Sequence, residues 1–563
     1  MSDPEALKKG ALVSAAYDTF LQVGLRILSF ILNAFIVRHV SREVFAVMTV
    51  RLHLLYATGL LLSREAFRRA ALSSKASVEI HKLINLVWIG LLVSGPVCVL
   101  GWYIWQYVMK RPPDAVTTDY DAGVIFMVMS IVVEVAAEVP FVLAELQLWN
   151  KTKVVIEGLM QVLRSILLAT FVYIWPMHGV LMYGISHIVG SLIYCVSYYG
   201  LFIQIFHKKE EVVKLPVKGI RQLFPRWKPG RLLPEVDSEL GTISWSFFKQ
   251  GWLKEALTEG EFYLMNFFSL ISLAQQGEYQ VVNNLGSLAA RLVFRSIETA
   301  AYKYFAQMVY RGKPINEEDQ ERIAEVVRFL TSLIRTLLLI SIFILTFGWS
   351  YSSLLLELYG GRQLSEGGGT LLMRAQCFYV IFLAMNGITE AYTFAAMDDI
   401  QLSRYNHFLV LFSAAYIGTA VIFTQIFGPL GFVLANCINM GLRITYSCWF
   451  IHKQYQGSEY QPLSSVYITP RIIMLFSFAL VFTTISEAFV YPQSVVLHIG
   501  VGAVSLAAVV YFLRWELRPF VEKILHFVSK FLSRFSKQNE HMDNDQFSSV
   551  SVVNKIHWLL YRL

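Results

Sequence analysis

The chain has 563 residues, of which 55% are hydrophobic and only 16% charged, and its net charge is +8. A water-soluble protein has about 25% charged residues. Apolar runs of about 20 residues recur almost from end to end, and each is long enough to cross about 30 Å of hydrocarbon. The composition therefore predicts an all-α polytopic membrane protein and disfavours a transmembrane β-barrel, which needs short alternating segments.

The amino-terminal stretch MSDPEALKKG lacks the features of a signal peptide, because no short apolar region with a small-residue cleavage site follows it. We therefore expect the first apolar segment to remain as a membrane helix. Fourteen spans are predicted in all. They cover residues 11–37, 44–63, 83–107, 122–146, 153–175, 179–205, 244–272, 277–302, 327–350, 370–396, 404–427, 429–452, 470–490 and 494–513. The stretch at 351–369 reads as a short helix and a glycine-rich turn.

Basic residues accumulate in alternate loops, above all in the linker at 207–240 and in the tail that follows the last span. The opposite loops contain only five basic residues, namely Arg38, Arg42, Lys110, Arg111 and Arg362. Since positive loops stay in the cytosol, both termini are expected there, and an even number of spans satisfies that requirement.

The spans divide into two halves of six on either side of the linker, which predicts two lobes arranged as parallel repeats around a central cavity. The expected parts are an N-lobe at 1–206, the cytosolic linker at 207–240, a C-lobe at 241–455, and two additional spans at 456–515. A cytosolic tail at 516–563 completes the chain. Its first part has helical basic and apolar spacing typical of an interfacial helix, and its end has a disordered composition.

No pattern in the sequence indicates catalysis. The chain has no HExxH, no Walker loop and no GxSxG, and its five cysteines show no paired metal spacing. We therefore predict that it is not an enzyme and holds no metal or cofactor. The positive charge is explained by cytosolic loops, so no nucleic-acid partner is expected.

Several apolar spans nevertheless carry polar stripes at helical spacing. A charge at the bilayer centre costs roughly 2.5–3.5 kcal/mol on insertion scales, so these side chains are expected to face a cavity. Arginine leads in the stripes, and its guanidinium group suits phosphate. The candidate substrate-binding residues are Arg26, Asn33, Arg51, Glu261, Asn284, Arg291, Arg295, Glu390 and Arg443.

Two other interpretations of the intramembrane charges stay open. The arginines could pair with acids to tie helices together, and Arg64 at the cytosolic end of its span could extend its charged group to the interface. Glu134 and Glu138 in the fourth span could instead serve an ion or drug antiporter.

Five stretches resemble the RFT family, and they occur in both halves of the chain between about residue 16 and residue 465. They are LSFILNAFIVRHVSREVFAVMTVRLHLLYATGLLLSREAFRRA, SWSFFKQGWLKEALTEGE, VNNLGSLAARLVF, NGITEAYTFAAM and GFVLANCINMGLRI. The last two spans and the tail resemble the family only loosely. The resemblance implies the fold of the multidrug, oligosaccharidyl-lipid and polysaccharide exporters. That fold has fourteen helices, of which twelve form two lobes of six and two are additional.

The resemblance also implies residence in the endoplasmic reticulum membrane and a role in protein N-glycosylation. The implied substrate is a dolichyl-diphosphate heptasaccharide of five mannoses and two N-acetylglucosamines, moved from the cytosolic to the lumenal leaflet. Membrane lipids and other N-glycosylation proteins are the further partners considered. The alternative is a non-transporting chaperone of the same lipid, or a scaffold for the pathway, because a cavity that binds and a cavity that transports look alike in sequence.

The predicted orientation has a direct test at the sequon Asn150-Lys151-Thr152, which lies in a loop expected in the cytosol. We expect Asn150 to carry no glycan, because oligosaccharide is attached in the lumen. Electrophoretic mobility of the expressed protein should be the same before and after endoglycosidase treatment, and Asn150→Gln should leave it unchanged. A shift that Asn150→Gln abolishes would invert the assigned topology.

Overall fold

The computed structural model describes residues 24–25, 27–73, 79–113, 119–147, 149–207, 217–227, 234–288, 290–312 and 319–514. Within these ranges the chain forms helices and connecting loops, with no β-strand. Nine of the described helices are long and apolar enough to cross a membrane, or ten if one bent pair is a single span. The prediction of an all-α, multi-pass membrane protein is therefore confirmed.

The first half of the chain contains seven helices in the described residues. They are α1 (Ile27–His39), α2 (Arg42–Leu72), α3 (Ile80–Val108), α4 (Tyr120–Ala136), α5 (Glu138–Leu146), α6 (Asn150–Ile174) and α7 (Gly179–His207). The axes of α4 and α5 differ by 41°, so this predicted span is bent at its centre. Two turns of α2 are wide π turns, at Val47–Leu52 and Leu61–Glu65. Such turns often mark functional sites, and these two contain Arg51 and Arg64.

Among the described residues, the second half contains ten α-helices of nine residues or more. They are α8 (Ser238–Thr258), α9 (Gly260–Phe268), α10 (Leu273–Gly286), α11 (Arg295–Met308), α12 (Gln320–Gly360), α13 (Thr370–Ala396), α14 (Asp399–Phe427), α15 (Leu430–Gln454), α16 (Pro470–Phe489) and α17 (Val495–Arg514). Every one of the fourteen predicted spans overlaps a helix. The predicted span at 244–272 is interrupted at Glu259, where the backbone leaves the helical conformation (ψ 7°). A total of fourteen membrane crossings stays a prediction.

The ninth predicted span was expected to end at residue 350, but α12 continues to Gly360. The reason is local, because the apolar sequence after Tyr351 keeps a helical period and contains no residue that stops a helix. Gly361 then adopts φ +80° and Gly368 adopts φ +100°, conformations that glycine reaches without steric cost. The glycine-rich turn therefore lies within 351–369, as the sequence indicated, but the short helix expected before it is the continuation of α12.

The chain separates into two compact units. The first comprises residues up to 296, 352–386 and 397–446, and the second comprises residues 297–351, 387–396 and those from 447 onward. In the second unit α12 packs against α16 and α17 through a buried cluster that includes Leu339, Phe476 and Val509. His498 of α17 stacks on Tyr351 at 4.2 Å between ring centres. The boundaries of the predicted N-lobe and C-lobe, at 1–206 and 241–455, stay a prediction.

Part of the basic linker is bound to the first unit. We call residues 217–227 the strap. Leu223 is fully buried, and its carbonyl accepts a hydrogen bond of 2.8 Å from the indole of Trp88 on α3. Asn85, one turn earlier on α3, accepts from the Arg226 amide at 2.9 Å and donates to the Glu235 carbonyl at 2.8 Å. One buried amide side chain therefore binds the linker on both sides of residues 228–233.

Asn85→Leu should release the strap, because it removes both hydrogen bonds and leaves buried backbone groups unsatisfied, at a cost of about 1–3 kcal/mol. Tryptic cleavage after Arg221 and Arg226 should become faster. Asn406→Leu, a substitution of an exposed asparagine on α14, should not change the cleavage rate. Equal rates for both variants and the wild type would contradict the role given to Asn85.

Candidate functional site

Five charged side chains form a buried network in the first unit. Glu134 of α4 accepts from Arg64 of α2 at 2.7 Å and from Arg164 of α6 at 2.9 Å. Glu138 of α5 pairs with Arg68 of α2, whose Nη2 lies 2.9 Å from Oε2. Both carboxylates are almost completely buried. Pairing is required here, because an isolated charge in this environment costs several kcal/mol.

The spacing of the residues explains why the network can form. Arg64 and Arg68 are four residues apart and share one face of α2, while Glu134 and Glu138 are four apart and lie on either side of the bend at Ala137. Each arginine therefore meets a different acid. The pairing with Glu134 shows that Arg64 turns inward, which corrects the expectation that it extends to the interface.

Neutral side chains complete the coordination of Glu134. Tyr56 donates its hydroxyl proton to the carboxylate, and Ser191 donates at 3.3 Å. Arg164 also donates to the Tyr56 oxygen at 2.9 Å and to the Ser191 oxygen at 2.6 Å. Helices α2, α4, α6 and α7 are thus held together at one point. Sequence reasoning missed Arg164, although an arginine within the apolar run VLRSILL was a signal that could have identified it.

Three guanidinium groups face two carboxylates within the network, and Glu65 and Glu157 lie close enough to Arg64 and Arg68 to interact electrostatically with them. The hydrogen-bond donors of the network are incompletely used. The Nε atoms of Arg64 and Arg164 are buried without a hydrogen-bond partner among the described residues, and Arg64 Nε lies 3.9 Å from Glu138. Glu134 and Glu138, the carboxylates that an antiporter would use, form ion pairs with arginines. The two Nε–H groups can still donate a hydrogen bond to an anion or a water molecule.

Arg51 lies on the same helix, nearer its start, and is buried. Its Nη1 donates to the Lys110 carbonyl at 2.6 Å and its Nε to Asn266 of α9 at 3.3 Å. About two turns further along α2, Thr58 and Tyr263 share a hydrogen bond of 2.6 Å. These contacts join α2 to α9 through neutral oxygens, so the charge of Arg51 is not cancelled by them.

A second polar cluster surrounds Glu261 at the start of α9. Asn436 of α15 donates to one carboxylate oxygen at 3.4 Å, and the other oxygen is buried without a hydrogen-bond partner in the described part of the chain. Three tyrosines from other helices lie close enough to interact electrostatically with this carboxylate. They are Tyr279, Tyr379 and Tyr416. Arg443 of α15 interacts with Tyr379 in turn, so the cluster contains both a carboxylate and a guanidinium group.

Contacts between helix ends occur where the sequence predicts the lumenal side. Arg38 donates to the carbonyls of Leu358 at 2.5 Å and Glu357 at 3.3 Å, at the end of α12. Arg42 at the start of α2 lies 3.8 Å from Glu278 of α10. We call these contacts the lumenal-end latch. A cation at a helix carboxyl terminus is favourable, because it meets the negative end of the helix dipole.

The structure describes the positions of most of the predicted binding residues, and their role in binding stays a prediction. Arg26 and the side chain of Arg291 lie outside the described residues. Asn33 and Arg295 are exposed, Asn284 and Arg443 are partly buried, and Glu390 is buried in the second unit. Glu261 and Arg443 both interact electrostatically with Tyr379. Among the described residues, no group of three or more His, Cys, Asp and Glu side chains could hold a metal ion.

The network around Glu134 makes a stability prediction. Glu134→Ala should lower the free energy of unfolding by about 3–5 kcal/mol, because two buried arginines lose their counter-charge. Glu145→Ala is the control, since its pair with Lys153 has side chains 27% and 29% exposed and is worth about 0–1 kcal/mol. Thermal unfolding in detergent measures both. Similar midpoints for the two variants would show that the network is not a structural tie.

Comparison with known proteins supplies the family. The family model described as Rft protein matches residues 11–526. The chain is 37% identical over 517 residues to a Mus musculus protein, covering 90% of this chain and 94% of that one. It is 38% identical over 477 residues to a Xenopus tropicalis protein, covering 84% and 88%. Both relatives are named Man(5)GlcNAc(2)-PP-dolichol translocation protein RFT1.

Two solved structures share the fold at low sequence identity. The lipid II flippase MurJ in an inward closed conformation superposes with a TM-score of 0.56 at 12% identity, covering 89% of this chain and 99% of that one. An inward-facing multidrug resistance MATE family transporter of the MOP superfamily gives 0.52 at 12% identity, covering 78% and 99%. These similarities establish the transporter fold alone. The family match extends over most of the sequence, and the chain therefore belongs to the Rft protein family.

Proposed function

We propose that the protein moves a dolichyl-diphosphate heptasaccharide, with five mannoses and two N-acetylglucosamines, from the cytosolic to the lumenal leaflet of the endoplasmic reticulum. The observation that carries this proposal is the near end-to-end match to relatives named for translocation of that lipid, at 37% identity over 90% of this chain. The product would serve protein N-glycosylation. Both termini would lie in the cytosol, and the protein would act as a transporter rather than a catalyst.

The chemistry of this substrate explains why arginine is needed inside the membrane. A diphosphate cannot enter hydrocarbon alone, and transport lowers that barrier only if fixed positive charge replaces water around it. Guanidinium groups bind two phosphate oxygens at once and stay charged at any physiological pH. The dolichol chain needs no such help and stays in the bilayer, while the sugars require hydrogen-bonding side chains along the path.

In this proposal Arg26, Arg291 and Arg443 contact the diphosphate. The structure describes the side chain of Arg443 among these three, and it lies in the polar cluster with Glu261 and Asn436. Asn33, Asn284, Arg295, Glu261 and Glu390 would meet the sugars. Arg51 acts at longer range. Its described contacts are with neutral oxygens, so it contributes positive potential even while its guanidinium group is engaged.

Alternating access would require the lumenal-end latch to open. The Arg42–Glu278 pair suits a reversible contact, because Arg42 is 31% exposed and the 3.8 Å separation is long for a hydrogen bond. The Glu278 side chain is only 6% exposed, so breaking the pair costs more than the roughly 0–1 kcal/mol of a fully exposed pair, and new contacts with the transported lipid would have to compensate. The glycines at 361 and 368, just after α12, supply backbone freedom beside the latch.

Exchange in sealed liposomes tests the proposal. Purified protein should move a labelled dolichyl-diphosphate oligosaccharide between leaflets, and Arg443→Gln should slow the exchange roughly tenfold or more, since a charge-assisted hydrogen bond contributes about 1.5–3 kcal/mol. Arg26→Ala with Arg291→Ala should do the same. Arg362→Gln is the matched control, because that side chain is 79% exposed.

The possible outcomes separate the proposal from its alternative. Binding of the lipid without protein-dependent exchange would favour a chaperone or a scaffold of the glycosylation pathway. Exchange that is equally fast in the wild type and in all arginine variants would keep the transport function and remove the arginine contacts from it.

A further inference from the structure

The surface of the strap has a composition that its role as a connection between helices does not require. It contains three basic residues, Lys218, Arg221 and Arg226, all exposed, and no acidic residue. Large apolar side chains are exposed beside them. Ile220 is 36% exposed and Trp227 is 49% exposed, although Val217 and Leu223 of the same segment are fully buried. One side of the strap thus packs on the protein, and the other presents apolar and basic groups outward.

Contacts with α3 and α7 define the position of the strap along these two membrane helices. Trp88, which donates to the Leu223 carbonyl and stacks on Phe224, is eight residues after the start of α3 at Ile80. Tyr199, whose ring centre is 6.4 Å from that of Phe224, is eight residues before the end of α7 at His207. At 1.5 Å per residue, both separations are about 12 Å. The strap therefore lies alongside the ends of two membrane helices and not beyond them.

The strap extends from the boundary between phospholipid headgroups and acyl chains into the outer part of the hydrocarbon. The helix α3 with its final wide turn has 29 residues. At 1.5 Å per residue it spans about 43 Å, which matches the roughly 40–45 Å of a bilayer including its headgroups. A headgroup layer then covers about the first 5–7 Å from the helix end. Asn85, which binds Arg226, is five residues (about 7.5 Å) along α3 and lies at that boundary, whereas Trp88, about 12 Å along, lies about 5 Å inside the hydrocarbon.

We propose that the strap is an interfacial anchor that binds the anionic phospholipids of the cytosolic leaflet. Ile220 and Trp227 insert at the acyl boundary, where an amphipathic indole is most favourable. Lys218, Arg221 and Arg226 contact lipid phosphates, and Asn85 and Trp88 hold the backbone that presents them. This site is separate from the residues proposed to bind the transported lipid, and it does not depend on transport.

Photo-crosslinking in nanodiscs tests the anchor with the full chain. A benzophenone amino acid at position 227 should form phospholipid adducts, and replacing part of the phosphatidylcholine by phosphatidylserine should shift the adducts toward phosphatidylserine. Lys218→Gln, Arg221→Gln and Arg226→Gln together should abolish that preference, since each basic residue near an anionic surface changes binding roughly fivefold. Arg221→Lys with Arg226→Lys retains the charges and should retain the preference. All of these side chains are exposed, so the variants should fold, and thermal unfolding checks this.

Two results would overturn the proposal. The first is a probe at position 227 that forms no lipid adduct in either membrane, or that crosslinks to another part of the chain or to a second copy. The second is a preference for phosphatidylserine that survives the triple glutamine substitution. Leaflet exchange of the dolichyl-linked substrate is measured on the same preparations, so loss of the anchor and loss of transport are distinguished.

Discussion

The buried carboxylate of Glu134 is the constraint on which the first unit depends. Hydrocarbon gives it no water, so its charge is stable only if the protein surrounds it with donors. Four side chains from three other helices do so, namely Tyr56, Arg64, Arg164 and Ser191. Helices in lipid gain little from apolar contact with one another, because the tails are equally apolar. Polar contacts of this kind therefore decide which helices are neighbours.

Four arginines of α2 and α6 fall into two electrostatic groups. Arg64, Arg68 and Arg164 are paired with acidic side chains, and these ion pairs hold neighbouring helices together. Arg51 meets a carbonyl and an amide, which orient it without neutralising it. The same residue type thus supplies both rigidity and positive potential. A cavity that binds an anion needs both. Hydrogen-bond donors that must reorient while the anion moves stabilise it less than donors that are already held in position.

Much of the fold was predictable from the sequence, because bilayer thickness imposes a length and an apolar character on each span. Details failed where a backbone feature has no clear composition signal. Helix α12 passes residue 350 because nothing before Gly360 stops it, and the span at 244–272 is interrupted at Glu259. Less of the candidate site was predictable. Periodicity places a residue on a face of its helix but does not say which helix that face meets.

Individual residues show this limit. Glu134 and Glu138 were recognised as intramembrane acids, but Arg164 was not recognised as a partner 30 residues away. Arg51 was predicted to face a cavity, and its carbonyl acceptor on Lys110 is a backbone group that no side-chain pattern reveals. The linker was identified by its basic composition, whereas Asn85 and Trp88, which hold it, look like ordinary members of an apolar span.

The two wide turns of α2 have a consequence for how the length of this helix can vary in evolution. Arg51 lies in the first and Arg64 in the second, and each turn accommodates more residues than a regular one. Loss of one residue within either wide turn would restore an ordinary turn and leave the helix beyond it facing nearly the same way, whereas loss of one residue in the regular segment His53–Leu60 would rotate everything beyond it by about 100°. Arg64 and Arg68 would then leave Glu134 and Glu138 unpaired. Insertions and deletions should therefore be tolerated in α2 only at its wide turns, even where substitutions of its lipid-facing side chains are tolerated elsewhere.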